Sequence, residues 1–274
     1  MSFIASCIQT NSQNDMQANL DNSAELIRKA ATDGASLIAL PENVAFMANN
    51  YSELRDNSYS QDDHPAIKFY TKLAAELNVT ILIGSIAIKD ADKEKLINRS
   101  FVINNNGKIT DTYDKIHLFN VELPNGETHR ETERFEAGDT AIVADLDMCR
   151  LGMSICYDLR FPMLYRTLAK GGAEVLSAPS AFTKHTGKAH WHALLRARAI
   201  ENGCFVVAPA QCGSHPSGRE TYGHSLIINP WGEILQEAGD DVGYIIAEID
   251  TAEVDKTHTI IPSLLYDKGF NLDD

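Results

Sequence analysis

The feature that most constrains the fold is an alternation of helix-period segments with short apolar runs. From Met16 to Ala31, apolar side chains recur at three- and four-residue steps until Gly34 interrupts them, which is typical of an amphipathic helix. The run Ser36–Leu40 is short and apolar, as buried strands are. Because such alternation continues along the chain, the sequence predicts a mixed α/β fold.

Other segments extend this pattern. The pair His64-Pro65 predicts a helix start, Val79–Ile88 predicts a strand, and Asn105-Asn106-Gly107 predicts a hairpin turn between two strands. Helices are also predicted near Met163–Ala169 and Lys188–Glu201. A polar stretch, Leu118–Asp139, predicts a long loop of the kind that is often functional.

Length, charge and uniformity bound the organisation of the chain. Its 274 residues carry a formal net charge of −14, so nucleic acid and anionic membranes are not expected as partners. No repeat, low-complexity segment or linker-like change in composition interrupts the sequence. We therefore predict one domain over residues 1–274.

Cysteine usage indicates the compartment. The five cysteines are odd in number and form no C-x-x-C pair, so a disulfide framework is not expected. The N-terminal residues lack a basic region followed by an apolar one, and no apolar stretch is long enough to span a bilayer. These features predict a cytoplasmic protein in a reducing environment.

Three chemically capable residues stand where strand-like runs end in polar sequence. Glu42 ends the run at Leu40, Lys115 lies in a segment that would place it on one strand face with His117, and Cys156 lies where a strand turns into a helix. The carboxyl edge of an α/β sheet is where ligand-binding groups collect. Taken singly, each residue also has a structural explanation. Glu42 could be a salt-bridge partner, Lys115 a solvated surface lysine and Cys156 an inert core cysteine.

A metal site is not predicted. His185, His190 and His192 are close in sequence, but their spacing fits neither a helical zinc pair nor a zinc-finger pattern. No glycine-rich phosphate loop is present. We expect neither a metal ion nor another bound cofactor.

Several segments together carry a family resemblance. The motifs ALPENV, YDKIHLF and SICYDLRFP, in this order, resemble those of the nitrilase superfamily of carbon–nitrogen hydrolases. Later segments, including TGKAHWHALLRARAIENG, APAQCG and YGHSLIINPWGEIL, are similar to the Nit branch, which contains deaminated glutathione amidases and ω-amidases. The resemblance covers nearly the whole chain and implies a four-layer α-β-β-α sandwich that forms a homodimer or a higher homo-oligomer.

The resemblance also implies catalytic roles. Cys156 corresponds to the nucleophile, Glu42 to the general base and acid, and Lys115 to the residue that stabilises the oxyanion together with the Tyr157 backbone N–H. Glu131 corresponds to a second carboxylate that orients Lys115 or helps to position substrate.

Branch members act on amides that bear a carboxylate, so the resemblance implies a small-molecule substrate of that kind. Arg160 lies one helical turn after Cys156, and a guanidinium suits carboxylate binding; pairing with Asp158 is the structural alternative. Thr186 is a second substrate-contact candidate by its position in the family motif.

Five functions stay open, one of them nitrile, carbamoyl or acyl-transfer chemistry of another carbon–nitrogen hydrolase that uses the same three residues. The first is hydrolysis of deaminated glutathione to 2-oxoglutarate and Cys-Gly, which the APAQCG segment favours, and the second is ω-amidase activity on 2-oxo-glutaramate or succinamate. A Cys–His hydrolase that uses His117 as its base is a third reading. A non-enzymatic scaffold is a fourth, and the Glu–Lys–Cys set argues against it.

Overall fold

The computed structural model describes residues 1–123 and 126–272. Over these residues the helices, in chain order, are α1 (Met16–Thr32), α2 (Tyr51–Asp56), α3 (Pro65–Leu77), α4 (Pro162–Lys170), α5 (Lys184–Asn202) and α6 (Ala252–Ile260). The strands are β1 (Ser2–Gln9), β2 (Leu37–Ala39), β3 (Thr80–Ile88), β4 (Leu96–Ile103), β5 (Ile109–Asp114), β6 (Asn120–Glu122), β7 (Thr128–Arg130), β8 (Phe135–Glu136), β9 (Val143–Asp145), β10 (Arg150–Gly152), β11 (Val175–Ser177), β12 (Phe205–Ala208), β13 (Cys212–Ser214), β14 (Glu220–Tyr222), β15 (Leu226–Ile228), β16 (Ile234–Glu237) and β17 (Gly243–Asp250). Two 3-10 helices span Glu131–Glu133 and Cys156–Arg160.

Most strands belong to two large sheets. The first has the order β17-β1-β2-β3-β4-β5, with β8 beside β4, and the second has the order β16-β15-β12-β11-β10-β9. In the first sheet β1, β2 and β3 are parallel, and two antiparallel steps return β5 to their direction. In the second, β10, β11 and β12 are parallel. Each sheet therefore gathers the carboxyl ends of several strands at one edge.

Alternation along the strands divides the core into layers. In β2, Leu37 and Ala39 belong to the apolar cluster shared with the second sheet, whereas Ile38 belongs to the cluster under α1 and α3. The other face of the second sheet is covered by α4 and α5, whose Tyr165 and Trp191 are buried. The order is therefore helix, sheet, sheet, helix, which confirms the predicted four-layer α-β-β-α sandwich.

Gly84 permits a close approach between the segments that follow β2 and β11. A Cβ at Gly84 in β3 would lie 2.0 Å from the Leu40 carbonyl oxygen and 2.5 Å from Pro179 Cβ. Real Cβ atoms do not approach this closely, so any larger residue would push apart the segments that follow β2 and β11. Gly84 thus helps to set the separation of the two sheets where their strands end.

The structure confirms several predicted elements and corrects one. His64 caps α3, its Nδ1 accepting from Ala66 N at 3.2 Å, and β4 and β5 form the predicted hairpin. The stretch Leu118–Asp139 is not an irregular loop, because it contains β6, β7, β8 and a 3-10 helix. Its exposed polar side chains gave no strand-period signal. Within the described part of the chain, no helix is both long and apolar enough to cross a bilayer.

Candidate active site

Three chain segments meet where strands of the two sheets end. Glu42 follows β2, Lys115 directly follows β5, and Cys156 begins the 3-10 helix after β10. All three are buried, at 3%, 2% and 7% exposure. The structure therefore brings together the three residues that the strand ends singled out, from positions far apart in the sequence.

Glu42 is held by donors on both sides. Its Oε1 accepts from Lys115 Nζ at 2.8 Å and from Asn98 Nδ2 at 3.1 Å. Its Oε2 accepts from the backbone N–H of Ala181 at 2.9 Å, and the nearby Cys156 thiol helps to lower the pKa of this carboxylate. Because the carboxylate is fully bonded, it can stay ionised although it is buried.

Lys115 lies between two carboxylates. Besides Glu42, its Nζ contacts both oxygens of Glu131, at 3.0 and 2.9 Å. Glu131 opens a 3-10 helix and also accepts from the backbone N–H of Phe119 at 2.6 Å. The second carboxylate predicted from the sequence is thus in contact with Lys115.

Cys156 has an unusual backbone. Its φ of 48° lies in the left-handed region, which costs a non-glycine residue about 1 kcal/mol or more. Its N–H donates to Pro179 O at 2.9 Å. The sharp turn places Cys156 at the start of a 3-10 helix, in the lining of the cavity that Glu42 also lines, close to the strand-to-helix turn that the sequence predicted.

Asp158 lies in this 3-10 helix and contacts His117. The position of His117 differs from the one that the sequence predicted. Lys115 and His117 do not share a strand face, because β5 ends at Asp114. His117 instead bonds Asp158 Oδ1 through its ring Nδ1 at 2.7 Å and through its N–H at 3.0 Å. Its ring stacks on Phe161 with centroids 3.6 Å apart. His117 therefore acts in the anchoring of the 3-10 helix.

The pKa shifts define the resting protonation state. Burial raises the pKa of the Cys156 thiol, and the Glu42 carboxylate raises it further. Burial also pushes the pKa of Glu42 up, but the Lys115 ammonium and hydrogen bonds from Lys115 and Cys156 outweigh it and hold that pKa below its usual range. Burial favours a neutral Lys115, yet Glu131 and Glu42 together raise its pKa. The site thus combines a neutral thiol, a carboxylate able to accept its proton, and an ammonium.

Arg160 and Thr186, two of the predicted substrate contacts, bond to other side chains. Arg160 faces His190 Nδ1 at 3.3 Å and lies over the rings of Tyr157 and Phe182 at 6.0 and 5.3 Å, so it does not pair with Asp158. Thr186 is buried in the first turn of α5, where its hydroxyl contacts Thr183 Oγ1 at 2.8 Å. Tyr157, Arg160 and Thr186 are not among the described residues that line the cavity above Cys156.

That cavity is large and rich in charge. Its volume is about 1120 Å³, and Glu42, Lys115, Glu131 and Cys156 form its inner part. It also receives the cationic side chains Arg130, Arg134, Lys184, Lys188 and Arg219. Among the described residues, the lining holds these five cations and Lys115 beside the four carboxylates Glu42, Glu127, Glu131 and Glu220, so cations outnumber anions there although the chain is strongly negative.

Sequence reasoning missed two residues of the site. Asn98, in β4, donates through Nδ2 to Glu42 and, at 3.2 Å, to Glu131, so it ties the two carboxylates together. Arg219 lies in the turn between β13 and β14 and donates to Ala181 O. Nothing in the local sequence marked them, since their roles depend on partners distant in the chain.

Over the residues described, no group of three or more His, Cys, Asp or Glu side chains could hold a metal ion.

Comparison with known proteins agrees with this architecture. Residues 4–259 match the family model described as carbon-nitrogen hydrolase. A deaminated glutathione amidase of Synechocystis sp. is 42% identical over 96% of this chain and 97% of its own length. The crystal structure of the Caenorhabditis elegans NitFhit protein superposes with a TM-score of 0.91 at 36% identity, covering 97% of this chain but only 65% of that one.

A second solved structure extends the match. Saccharomyces cerevisiae Nit3, a member of branch 10 of the nitrilase superfamily, has a TM-score of 0.86 at 29% identity over 95% of this chain and 94% of its own. The family motifs at Glu42, Lys115 and Cys156, the four-layer sandwich and these matches agree. The chain belongs to the carbon–nitrogen hydrolase family of the nitrilase superfamily.

Proposed function

We propose that this protein is an amidase that hydrolyses deaminated glutathione to 2-oxoglutarate and Cys-Gly. The observation that carries the proposal is that Cys156, Glu42 and Lys115 are buried around one cavity, with Lys115 Nζ donating to Glu42 Oε1 at 2.8 Å. Amidases with this substrate in their names are 42% identical in Synechocystis sp. and 38% identical in Homo sapiens.

The first half-reaction forms a thioester. Glu42 accepts the thiol proton while Cys156 Sγ attacks the amide carbonyl carbon. Lys115 Nζ and the backbone N–H of Tyr157, in the first turn of its 3-10 helix, stabilise the oxyanion. The carbon–nitrogen bond then breaks, Glu42 returns the proton to the departing nitrogen, and Cys-Gly leaves.

The second half-reaction releases the acid. Glu42 accepts a proton from water as the water oxygen attacks the thioester carbonyl, and the same donors hold the new oxyanion. The carbon–sulfur bond breaks, the sulfur recovers its proton from Glu42, and 2-oxoglutarate leaves. Glu131 keeps Lys115 protonated and oriented throughout, which the contacts at 2.9 and 3.0 Å support.

The size of the cavity favours the larger substrate. At about 1120 Å³ it matches or exceeds the usual range for small-molecule pockets, about 300–1,000 Å³, and accommodates an acyl group carrying a dipeptide. The alternative is an ω-amidase that acts on 2-oxo-glutaramate or succinamate through the same steps. His117 finds less support as a base, because its ring is engaged by Asp158 and Phe161.

The test compares both substrates with wild type and Cys156→Ala. Both reactions yield 2-oxoglutarate, so the co-product is measured: Cys-Gly in one case and ammonia in the other. We expect faster Cys-Gly release that is lost in Cys156→Ala and kept in Cys149→Ala, a matched control at a buried cysteine that does not line the cavity. Faster ammonia release would replace the proposal with the ω-amidase, and no turnover of either substrate would refute both.

We also propose a homodimer through the α4–α5 face. Met163, Ile200 and Leu265 expose apolar side chains at 73%, 50% and 83%, and Arg166 brings the C-terminal segment to this face by donating to Ser263 O at 2.6 Å. Ile200→Glu is expected to yield monomers in light scattering, whereas a monomeric wild type would refute the interface.

The five free, buried cysteines support a reducing, cytoplasmic location.

A further inference from the structure

The position of Arg219 is fixed by a braced turn. His215 N donates to Arg219 O at 2.9 Å, and the buried His215 ring contacts Ser12 O at 2.9 Å and Thr221 Oγ1 at 2.7 Å. These contacts tie the β13–β14 turn to the body of the protein at both ring nitrogens. The backbone of Arg219 therefore holds a defined place at the side of the cavity.

The guanidinium is connected to the catalytic carboxylate through one residue. Arg219 Nη2 donates to the carbonyl of Ala181, and the N–H of Ala181 donates to Glu42 Oε2 at 2.9 Å. Two hydrogen bonds and one residue thus separate the guanidinium from Glu42. Its positive charge also lowers the pKa values of Glu42 and Cys156, as expected for a cation at this range.

Arg219 differs from Lys184 and Arg130, two of the other cations that line the cavity. Lys184 is bonded to Glu220 at 3.1 Å, and Arg130 is bonded to Glu122. In the described part of the chain no carboxylate forms an ion pair with Arg219, and its Nε is buried without a hydrogen-bond partner. Buried donors are rarely left unpaired, and an unneutralised guanidinium beside a cavity is suited to bind an anion.

The expected anion lies a short distance from the reacting carbon. In an acyl group derived from 2-oxoglutarate, four carbon–carbon bonds of about 1.5 Å join the amide carbonyl carbon to the carboxylate carbon, a span of about 5 Å. We propose that Arg219 binds this acyl-side carboxylate and thereby selects substrates whose acyl group ends in one. The inference rests on the proposed function and assigns to Arg219 the role that the sequence suggested for Arg160.

The test uses substrates that differ only in charge. Wild type, Arg219→Lys and Arg219→Gln are assayed with deaminated glutathione, with its acyl-side methyl ester and with its glycine amide. Arg219→Gln is expected to lower kcat/KM for the first and third substrates on the order of 10–100-fold, mainly through KM, and to leave the ester little changed. Arg219→Lys should restore part of the loss, because it keeps the charge without the planar fork.

The control variant is Arg196→Gln, since Arg196 donates to Gly232 O at 2.8 Å outside the cavity. An equal loss for acid and ester in Arg219→Gln would overturn the inference. A loss that disappears only when the glycine carboxylate is blocked would also overturn it, because the leaving group would then be the ligand.

A second measurement separates this inference from the proposed function. Alkylation of Cys156 by iodoacetamide is followed with and without 2-oxoglutarate, which needs no turnover. Protection in wild type that is lost in Arg219→Gln would support the carboxylate site even if neither amide were hydrolysed. Absence of protection in wild type, or equal protection in both proteins, would overturn it.

Discussion

Two lysine–glutamate pairs line the same cavity and differ above all in burial. Lys115 and Glu42 are 2.8 Å apart with side chains 2% and 4% exposed, whereas Lys184 and Glu220 are 3.1 Å apart with side chains 61% and 51% exposed. Water screens the exposed pair, so its attraction contributes little. The buried pair cannot lose one partner without leaving a desolvated charge. Similar distances therefore correspond to a solvent-screened pair at the rim of the cavity in one case and a desolvated pair beside Cys156 in the other.

Breaking the buried pair should have the largest effect. Glu42→Gln removes the proton acceptor and leaves Lys115 with Glu131 as its remaining carboxylate, so kcat should fall about 10⁴-fold. The measurement is single-turnover thioester formation, with circular dichroism to verify folding. Retention of a tenth of the wild-type rate would show that another base serves Cys156.

Removing the bridge between the two carboxylates should cost less. Asn98→Leu deletes the donor shared by Glu42 and Glu131, and we expect kcat to fall about 10²-fold because preorganisation is weakened. Asn229→Leu is a matched control, since Asn229 donates to Glu233 at 2.9 Å away from the cavity. An unchanged kcat in Asn98→Leu, with KM also unchanged, would contradict a positioning role.

Glu131→Gln tests how strongly Glu131 raises the pKa of Lys115. The loss of one carboxylate removes part of what raises the pKa of Lys115, so the alkaline limb of kcat should move to lower pH. The sign follows because activity needs the ammonium, which then deprotonates earlier as pH rises. A decrease of about 10-fold in kcat at neutral pH is also expected, and a pH–rate profile that coincides with wild type would remove the assignment.

Breaking the exposed pair Lys184–Glu220 should change kcat/KM very little. Lys184→Gln deletes the contact with Glu220, and kcat/KM should change by less than about 3-fold because an exposed pair is screened. The measurement is repeated at low and high salt, where wild type and variant should converge as screening increases. A loss as large as that of Asn98→Leu would show that the rim takes part in chemistry.

The sequence predicted the parts of this architecture that depend on residues close together in the chain. The period of α1, the hairpin at Gly107 and the strand ends at Glu42 and Cys156 depend on neighbours within a few residues. The stretch containing β6 and β7 escaped because its polar residues carry no apolar alternation. Asn98 and Arg219 escaped because hydrogen bonds between distant segments leave no periodic signal. The motif predicted the placement of Lys115 but not the orientation of His117, because β5 ends at Asp114 and does not continue through Lys115 to His117.

The left-handed backbone of Cys156 limits how this position can change. Alanine or serine tolerates a φ of 48° at the same modest cost as cysteine, but a β-branched threonine does so poorly. An ancestral or engineered switch to a threonine nucleophile is therefore obstructed by the main chain before any question of reactivity arises. Glycine alone would relax the turn, and it carries no nucleophile. The position is thus a point of conflict between folding stability and activity, with reactivity retained at the expense of an easier local conformation.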